Sequence, residues 1–405
     1  MAEHRVAITG LGTISALGRD VPSSWDSIKE CRSGIRKVTR NPYGESVTFP
    51  AAVVDDYDPL QHFTPSELLL RDTFSQYALI AAREAVRDAG LEFPQADTSQ
   101  TAVVLGTGAG GEESREAAAA RFFGERNFRC NPMVVPKTNA QASVGLVSME
   151  FGTTGPAFTI STGCASATHA VAQAFTLVRH GVVTHALTGG SEASVLFSTV
   201  KAFQSMRVLS DDTCRPFSRG RSGMVLGEGA GVVVLERLDA ALARGAKIYA
   251  ELAGCGMSAD AADPVHPTAR GPAAAIRAAL KDARLEPESV EYVNAHGTGT
   301  MINDHVENAA LHTVFGPRAR ELCVSSTKSM HGHSFGGVGG IELVATALAL
   351  RHGIIPPTAN YLGRDESCDL DYVPNEARER AIKVAISNSF AFGGLNAVLA
   401  LRRFD

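Results

Sequence analysis

The chain has 405 residues, 44% hydrophobic and 20% charged, which is enough to bury a large core in one large or two fused domains. Its net charge of -5 includes no basic block, arguing against nucleic acid or an anionic membrane as main partner, although a few basic residues suffice to dock an acidic protein. Seven cysteines without a Cys-x-x-Cys pair argue against a disulfide framework or zinc ribbon and point to a reducing cytoplasm. No charged-then-apolar leader opens the sequence, and no apolar run approaches the ~18 residues of a membrane span.

In chain order, a strand over 5–9 runs into Gly10-Leu11-Gly12-Thr13-Ile14-Ser15. A dinucleotide loop would need a third glycine where Ser15 stands and an acid-ended strand about 20 residues on, so the nucleotide reading is disfavoured. Helical patterns follow over 21–29 and 68–89. A buried strand over 101–106 leads into Thr107-Gly108-Ala109-Gly110-Gly111 and a helix over 112–123. A strand over 157–161 then meets Thr162-Gly163, and Cys164 opens an Ala-rich helix that closes at Gly181. Strands over 185–189 and 232–236, the second behind a glycine-rich turn, finish the first half.

After a helix over 238–246 the plan repeats, with strands over 248–254, 290–295 and 322–325 and helices over 271–283, 304–314 and 338–352. Paired strands over 382–387 and 397–402 close it. Two βα halves, 1–246 and 247–405, predict an α/β fold in which two mixed sheets sandwich central helices, a duplicated architecture without a flexible linker.

The elbow at Cys164 joins free main-chain N–H groups to the positive end of a helix dipole, which predicts a thiolate with a depressed pKa. The alternative is a small buried hydrophobe at a helix start. Three other turns carry chemistry: Asn294-Ala295-His296-Gly297-Thr298-Gly299-Thr300 with Asp304 and Glu307 beyond it, Ser326-Thr327-Lys328-Ser329-Met330-His331-Gly332-His333, and Asn388-Ser389-Phe390-Ala391-Phe392-Gly393-Gly394. Two of them leave strand ends, where α/β folds place ligands, and the third is a glycine and phenylalanine turn between the last two strands. Each also has a plain reading. His296, His331 and His333 form a zinc set only without the usual i, i+4 helical spacing, so metal is disfavoured. Asp304 as a helix N-cap with Glu307 as its capping-box partner would be purely structural, His305 and His312 would face solvent, and Phe390 and Phe392 would be core.

Together these stretches resemble the β-ketoacyl-acyl carrier protein synthases, condensing enzymes of the thiolase superfamily, over residues 5–404. The family's opening run falls on Val6 to Gly12, its nucleophile motif on Thr162-Gly163-Cys164-Ala165-Ser166, and its remaining motifs on 294–298, 326–333 and 388–394. Cys, His and His is the set of the elongating enzymes. The segment Met301-Ile302-Asn303-Asp304 is more similar to the ketosynthase subunit of type II polyketide systems than to the fatty-acid enzyme. The resemblance implies a thiolase-like layered αβαβα sandwich and decarboxylative condensation of an acyl group on Cys164 with malonyl-acyl carrier protein, in fatty acid or polyketide (polyene included) biosynthesis.

It further implies main-chain N–H groups of Cys164 and Phe390 as an oxyanion hole, with Phe390 also a gate. His296 and His333 would be neutral donors to the malonyl thioester, Lys328 would pair with Glu307 and hold the second histidine, and Thr298 and Thr300 would hydrogen-bond the pantetheine arm. Ala109 and Phe392 would line the substrate site, Ala109 at the acyl-pocket floor. The chain would need no metal and no cofactor of its own, since the 4'-phosphopantetheine belongs to the carrier protein. It would form a homodimer or a heterodimer with a ketosynthase-like chain-length subunit. Two other readings are a non-elongating partner subunit and a Cys-His thioester hydrolase.

Overall fold

A computed structural model describes residues 3–41, 46–95 and 97–405. The first strand, β1 (Val6–Ser15), is buried throughout and runs straight through the glycine stretch that the sequence predicts to end it after residue 9. Packing is the reason. Helix α1 (Thr73–Ala89) lies so close that a Cβ at Gly10 would collide with the Ala85 carbonyl and one at Gly12 with the Ala81 carbonyl. The glycines are a contact surface for a helix backbone, not a turn. Helix α1 is shorter than its predicted 68–89, because Asp72 caps it by accepting the Phe74 N–H.

The first half continues through β2 (Thr101–Gly106), α2 (Glu112–Ala119), β3 (Ala157–Ile160), α3 (Ser166–Arg179), β4 (His185–Glu192), α4 (Phe197–Ser205) and β5 (Gly229–Arg237). The second half contains β6 (Ala250–Ala259), α5 (Arg270–Asp282), β7 (Tyr292–Asn294), α6 (Met301–Phe315), β8 (Cys323–Ser325), α7 (Val338–His352), β9 (Val384–Ala391) and β10 (Leu395–Arg402).

The sheet order is β8-β7-β9-β10-β6-β1-β5-β4-β2-β3. Outward from the middle, each half therefore runs first, fifth, fourth, second, third strand. The senses repeat as well. Strand β2 is parallel to β3 and β4, with β5 antiparallel to β4 and β1; β7 is parallel to β8 and β9, with β10 antiparallel to β9 and β6. The two predicted sheets, one from each half, are also hydrogen-bonded to each other along one edge. Strands β1 and β6 pair at Val6 with Leu252, Ala7 with Glu251 and Ile8 with Ala250, which closes a ten-stranded sheet.

Alternation along the strands builds the layers. In β2, Val103 and Leu105 face an outer core with α1, whereas Ala102 and Val104 face a central core with α3 and α7. In β10, Val398 and Ala400 face an outer core with α5, whereas Leu399 and Leu401 face the central one. Both faces of these two strands are covered, which explains their continuous apolar runs in the sequence. Helix, sheet, helix, sheet, helix is the αβαβα sandwich the motifs imply. No described helix is long and apolar enough to cross a membrane.

Candidate active site

The turn that carries the thiol is locked by one hydroxyl. Ser166 Oγ accepts the Thr162 N–H at 2.8 Å and donates to the Gly163 carbonyl at 2.6 Å, which folds Thr162-Gly163-Cys164 back over the start of α3. Helix α3 begins at Ser166, not at Cys164, so the thiol sits before the first helical residue. Cys164 is 8% exposed. Burial pushes its pKa up to about 11, against the pull of Lys328 and of the main-chain N–H groups of Cys164 and Phe392. The depressed pKa expected from the helix dipole is overturned, because desolvation of a thiolate outweighs a dipole acting from outside the helix's first turn.

Those two N–H groups also correct the oxyanion assignment. Phe390 lies inside β9, in the ladder opposite Asn396, with its ring 5.9 Å from that of His296. Phe392, past the end of the strand, turns its N–H to the thiol. Its side chain is 43% exposed, whereas Phe390 is 6% exposed. The residue with room to move is therefore Phe392.

Each histidine has a pinned peptide and a bare ring. Glu307 accepts the His296 N–H at 2.8 Å and the Gly297 N–H at 2.7 Å, while Lys328 Nζ donates to the His296 carbonyl at 2.7 Å. The His333 N–H donates to the Val225 carbonyl at 2.7 Å, and its own carbonyl accepts the Gly227 N–H at 2.9 Å. Among the described residues, neither nitrogen of the His333 ring nor Nδ1 of His296 has a hydrogen-bond partner, although both residues are buried. Unpaired buried polar atoms call for an explanation, and here both rings line one cavity with Cys164. Burial, reinforced by the nearby Lys328, holds both pKa values well below the ordinary histidine value, so both rings are neutral.

Lys328 pairs with Glu342 of α7, not with Glu307 as expected, and both are fully buried. Its second bond goes to the peptide of His296, so it holds the first histidine and makes no bond to the second. Glu307 instead ties the exit of β7 to β9 through Asn388, whose Nδ2 donates at 3.1 Å. The capping-box reading fails with it: Thr300 caps α6 by accepting the Asn303 N–H, and Asp304 accepts the N–H groups of Phe217 at 2.7 Å and Gly299 at 3.2 Å. His331 is satisfied locally by the Gly332 carbonyl and Thr327 Oγ1, and among the described residues no cluster of His, Cys, Asp or Glu suits a metal. His305 is exposed, and half-buried His312 meets Asp369 at 2.6 Å.

Two acids escape a reading based on motifs. Glu342 is the only acid in a helix otherwise buried from Val338 to Leu350, and Glu192 ends a strand that contains no other acid. A lone acid in an apolar helix is the sequence signal for Glu342, whereas the strand that ends at Glu192 also holds His185, Thr188 and Ser191 and gives no such contrast. Glu192 accepts the N–H groups of Gly108 at 2.6 Å, Ala109 at 3.3 Å and Gly336 at 3.1 Å, and the hydroxyls of Thr107 and Ser194. Burial still raises its pKa to about 7.

Cys164 lies at the junction of two cavities. One, of about 200 Å³, is lined by Cys164, His296, His333, Thr298 and Thr300. The other, of about 250 Å³, is lined by Cys164, Ala109, Phe203 and Phe335. Phe392 borders both. A buried thiol thus faces a chamber with unpartnered imidazoles on one side and a largely apolar recess on the other.

Comparison with known proteins agrees with this geometry. Residues 3–241 match the N-terminal domain of β-ketoacyl synthase and residues 249–362 its C-terminal domain. Nodulation protein E of Rhizobium sp. (strain N33) is 46% identical over 402 residues, covering 99% of this chain and 100% of the relative. The 3-oxoacyl-[acyl-carrier-protein] synthase 2 of Staphylococcus aureus (strain COL) is 40% identical, covering 99% of each. Among solved structures, the ishigamide ketosynthase/chain length factor superposes with a TM-score of 0.94 at 37% identity, covering 100% of both chains. The chain belongs to the β-ketoacyl synthase family of condensing acyltransferases.

Proposed function

We propose that the two halves, 1–246 and 247–405, divide the reaction. The first half loads: the Cys164 sulfur attacks the thioester of an acyl carrier protein, its proton passes to the departing pantetheine sulfur, and the acyl chain enters the recess beside Ala109. The N–H groups of Cys164 and Phe392 would bind the oxyanion of each tetrahedral intermediate. The second half condenses. Malonyl thioester enters the other cavity with its pantetheine arm along Thr298 and Thr300, and His296 and His333 donate to its carbonyl oxygen as carbon dioxide leaves. The electron pair released from the broken C–C bond forms the new bond to the acyl carbon, and the C–S bond to Cys164 breaks to return the thiolate, which is reprotonated.

Neutral rings suit this role, because a neutral imidazole stabilises an enolate by donating without surrendering a proton outright. Lys328 and Glu307 would act as positioning groups on the His296 peptide. The chemistry requires no cofactor or metal of the chain's own. The observation that carries the reading is the pair of cavities meeting at one thiol, with bare histidine nitrogens in one of them.

A second ketosynthase-like chain, identical or a chain-length partner, would cover the sheet edge at β3, where Phe158 is 39% exposed. The test is incubation with acyl and malonyl carrier proteins followed by mass spectrometry of the carrier-bound products. A β-ketoacyl chain two carbons longer supports condensation; free acid alone would favour a hydrolase, and neither product a non-elongating partner.

A further inference from the structure

Phe335 stands where its backbone disfavours it. It opens the short turn after His333 and Ser334 with φ of +37°, in the region that glycine tolerates and a bulky side chain resists. Strain of this kind persists only where surroundings over-determine it and points to a task for the side chain. The Phe335 ring lies 4.9 Å from that of Phe203 and borders the recess that opens at Cys164. It also lies 5.6 Å from the His333 ring, tilted by 32°.

The His333 ring needs such a neighbour. Its peptide is fixed on both sides, but neither ring nitrogen has a hydrogen-bond partner among the described residues. Packing alone sets its orientation, against His296 at 5.5 Å and against Phe335. The backbone of the turn is meanwhile anchored by the Gly336 N–H, which donates to Glu192 at 3.1 Å, so movement falls to the Phe335 side chain.

We propose that Phe335 is a positioning residue that couples filling of the acyl recess to the orientation of His333, so that condensation, rather than loading, senses chain length. This rests on the two-step reading above. A chain long enough to reach Phe335 confines its ring between Phe203 and His333 and holds the imidazole in its donating orientation. A short chain leaves both rings free to turn. No bond forms or breaks in this coupling.

The full-length chain is loaded on Cys164 with acetyl, octanoyl or tetradecanoyl groups from a bacterial acyl carrier protein, and single-turnover condensation with malonyl carrier protein is timed separately from loading. In the wild type, condensation is expected to rise roughly tenfold or more from acetyl to the chains that reach Phe335, as expected of a misplaced catalytic group being brought into line. Phe335→Gly removes the ring and suits the backbone; its condensation rate should fall to the acetyl rate for every chain, a loss larger than any change in the separately timed loading step, and Phe335→Leu should restore part of the dependence. The coupling is overturned if the wild type shows no dependence on chain length. It is equally overturned if Phe335→Gly keeps the wild-type profile, or loses loading and condensation alike. An absence of any acyl adduct on the wild-type enzyme would instead sink the two-step reading itself.

Discussion

The two halves share one strand order and one set of strand senses, yet they differ wherever a strand ends. After its third strand the first half makes the Thr162-Gly163-Cys164 elbow, and the second makes Ser326-Thr327-Lys328. After the second strand, the first half turns through Thr107-Gly108-Ala109 and the second through Ala295-His296-Gly297. Each of these second-strand turns is gripped by a buried carboxylate, Glu192 in one half and Glu307 in the other. The edges differ too. Strand β8 is covered, with the Val324 N–H donating to the Asp371 carbonyl at 2.8 Å, whereas among the described residues β3 borders no further strand and keeps Ala157 and Phe158 exposed. The two halves share the frame that positions the turns, and the turns differ, with a thiol on one side and unpartnered imidazoles with a buried ion pair on the other.

The sharpest break in that comparison is Cys164→Ala. It should abolish acyl loading, a loss on the order of 10⁴-fold or more, while leaving the fold intact, because a small side chain is replaced by a smaller one. Intact-protein mass spectrometry checks it; an adduct of undiminished yield would contradict the role of the first half.

Lys328→Met probes the second half through its buried charge. Glu342, whose pKa burial raises to about 7, would lose its cation at full burial and be driven to take up a proton, which costs up to about 3–5 kcal/mol of stability, read from denaturant unfolding. The double variant Lys328→Met, Glu342→Gln should recover much of that loss. If Glu307 were the true partner, Glu342→Gln would recover none.

Ala109→Phe returns to the first half at smaller scale. Overfilling the recess costs roughly 1–3 kcal/mol, and each CH₂ displaced forfeits about 0.8 kcal/mol of binding. Acylation of Cys164 by long chains should fall far more than by short ones. An unchanged length profile in a folded variant would place Ala109 outside the acyl site.

The halves also separate by pH. Burial raises the Cys164 thiol to about 11, so the thiolate fraction should climb about tenfold per pH unit below that value. Iodoacetamide labelling of the Cys164 peptide should rise from pH 7 to about 9 without a plateau. A plateau near neutrality would restore the helix-dipole expectation. The histidine pKa values move the other way, downward, so the neutral rings persist on acidification and protonate only well below 6.5. Condensation from a preloaded acyl-enzyme should therefore lose nothing to ring protonation between pH 8 and about 6.5, and a fall near pH 7 would report the buried carboxylates Glu307 and Glu342, whose pKa values burial raises to about 7.

Much of this frame is legible in the sequence, because buried strands and glycine turns announce themselves and because the residues around Cys164, His296 and His333 fall in recognisable runs. What escapes is set by distance or by packing. Gly10 and Gly12 read as a turn because the helix that presses on them lies more than sixty residues away in the chain. Glu307 sits among motif residues and so attracts the role of lysine partner, whereas Glu342, inside an apolar helix, fills it. Phe390 and Phe392 are two residues apart, and only the end of β9 at Ala391 decides which N–H is free to face the thiol. The thiol's pKa depends on how deeply Cys164 is buried, which no local pattern states.

The division of labour itself is tested most directly by His333→Ala and His296→Ala given acyl carrier protein first and malonyl carrier protein second. Intact-protein mass spectrometry should show a full acyl adduct on Cys164 in each variant. Condensation should be slowed by about 10²–10³-fold, the usual effect of removing one donor from a developing oxyanion. Loading that falls as far as condensation in both variants would contradict the assignment of separate steps to the two halves.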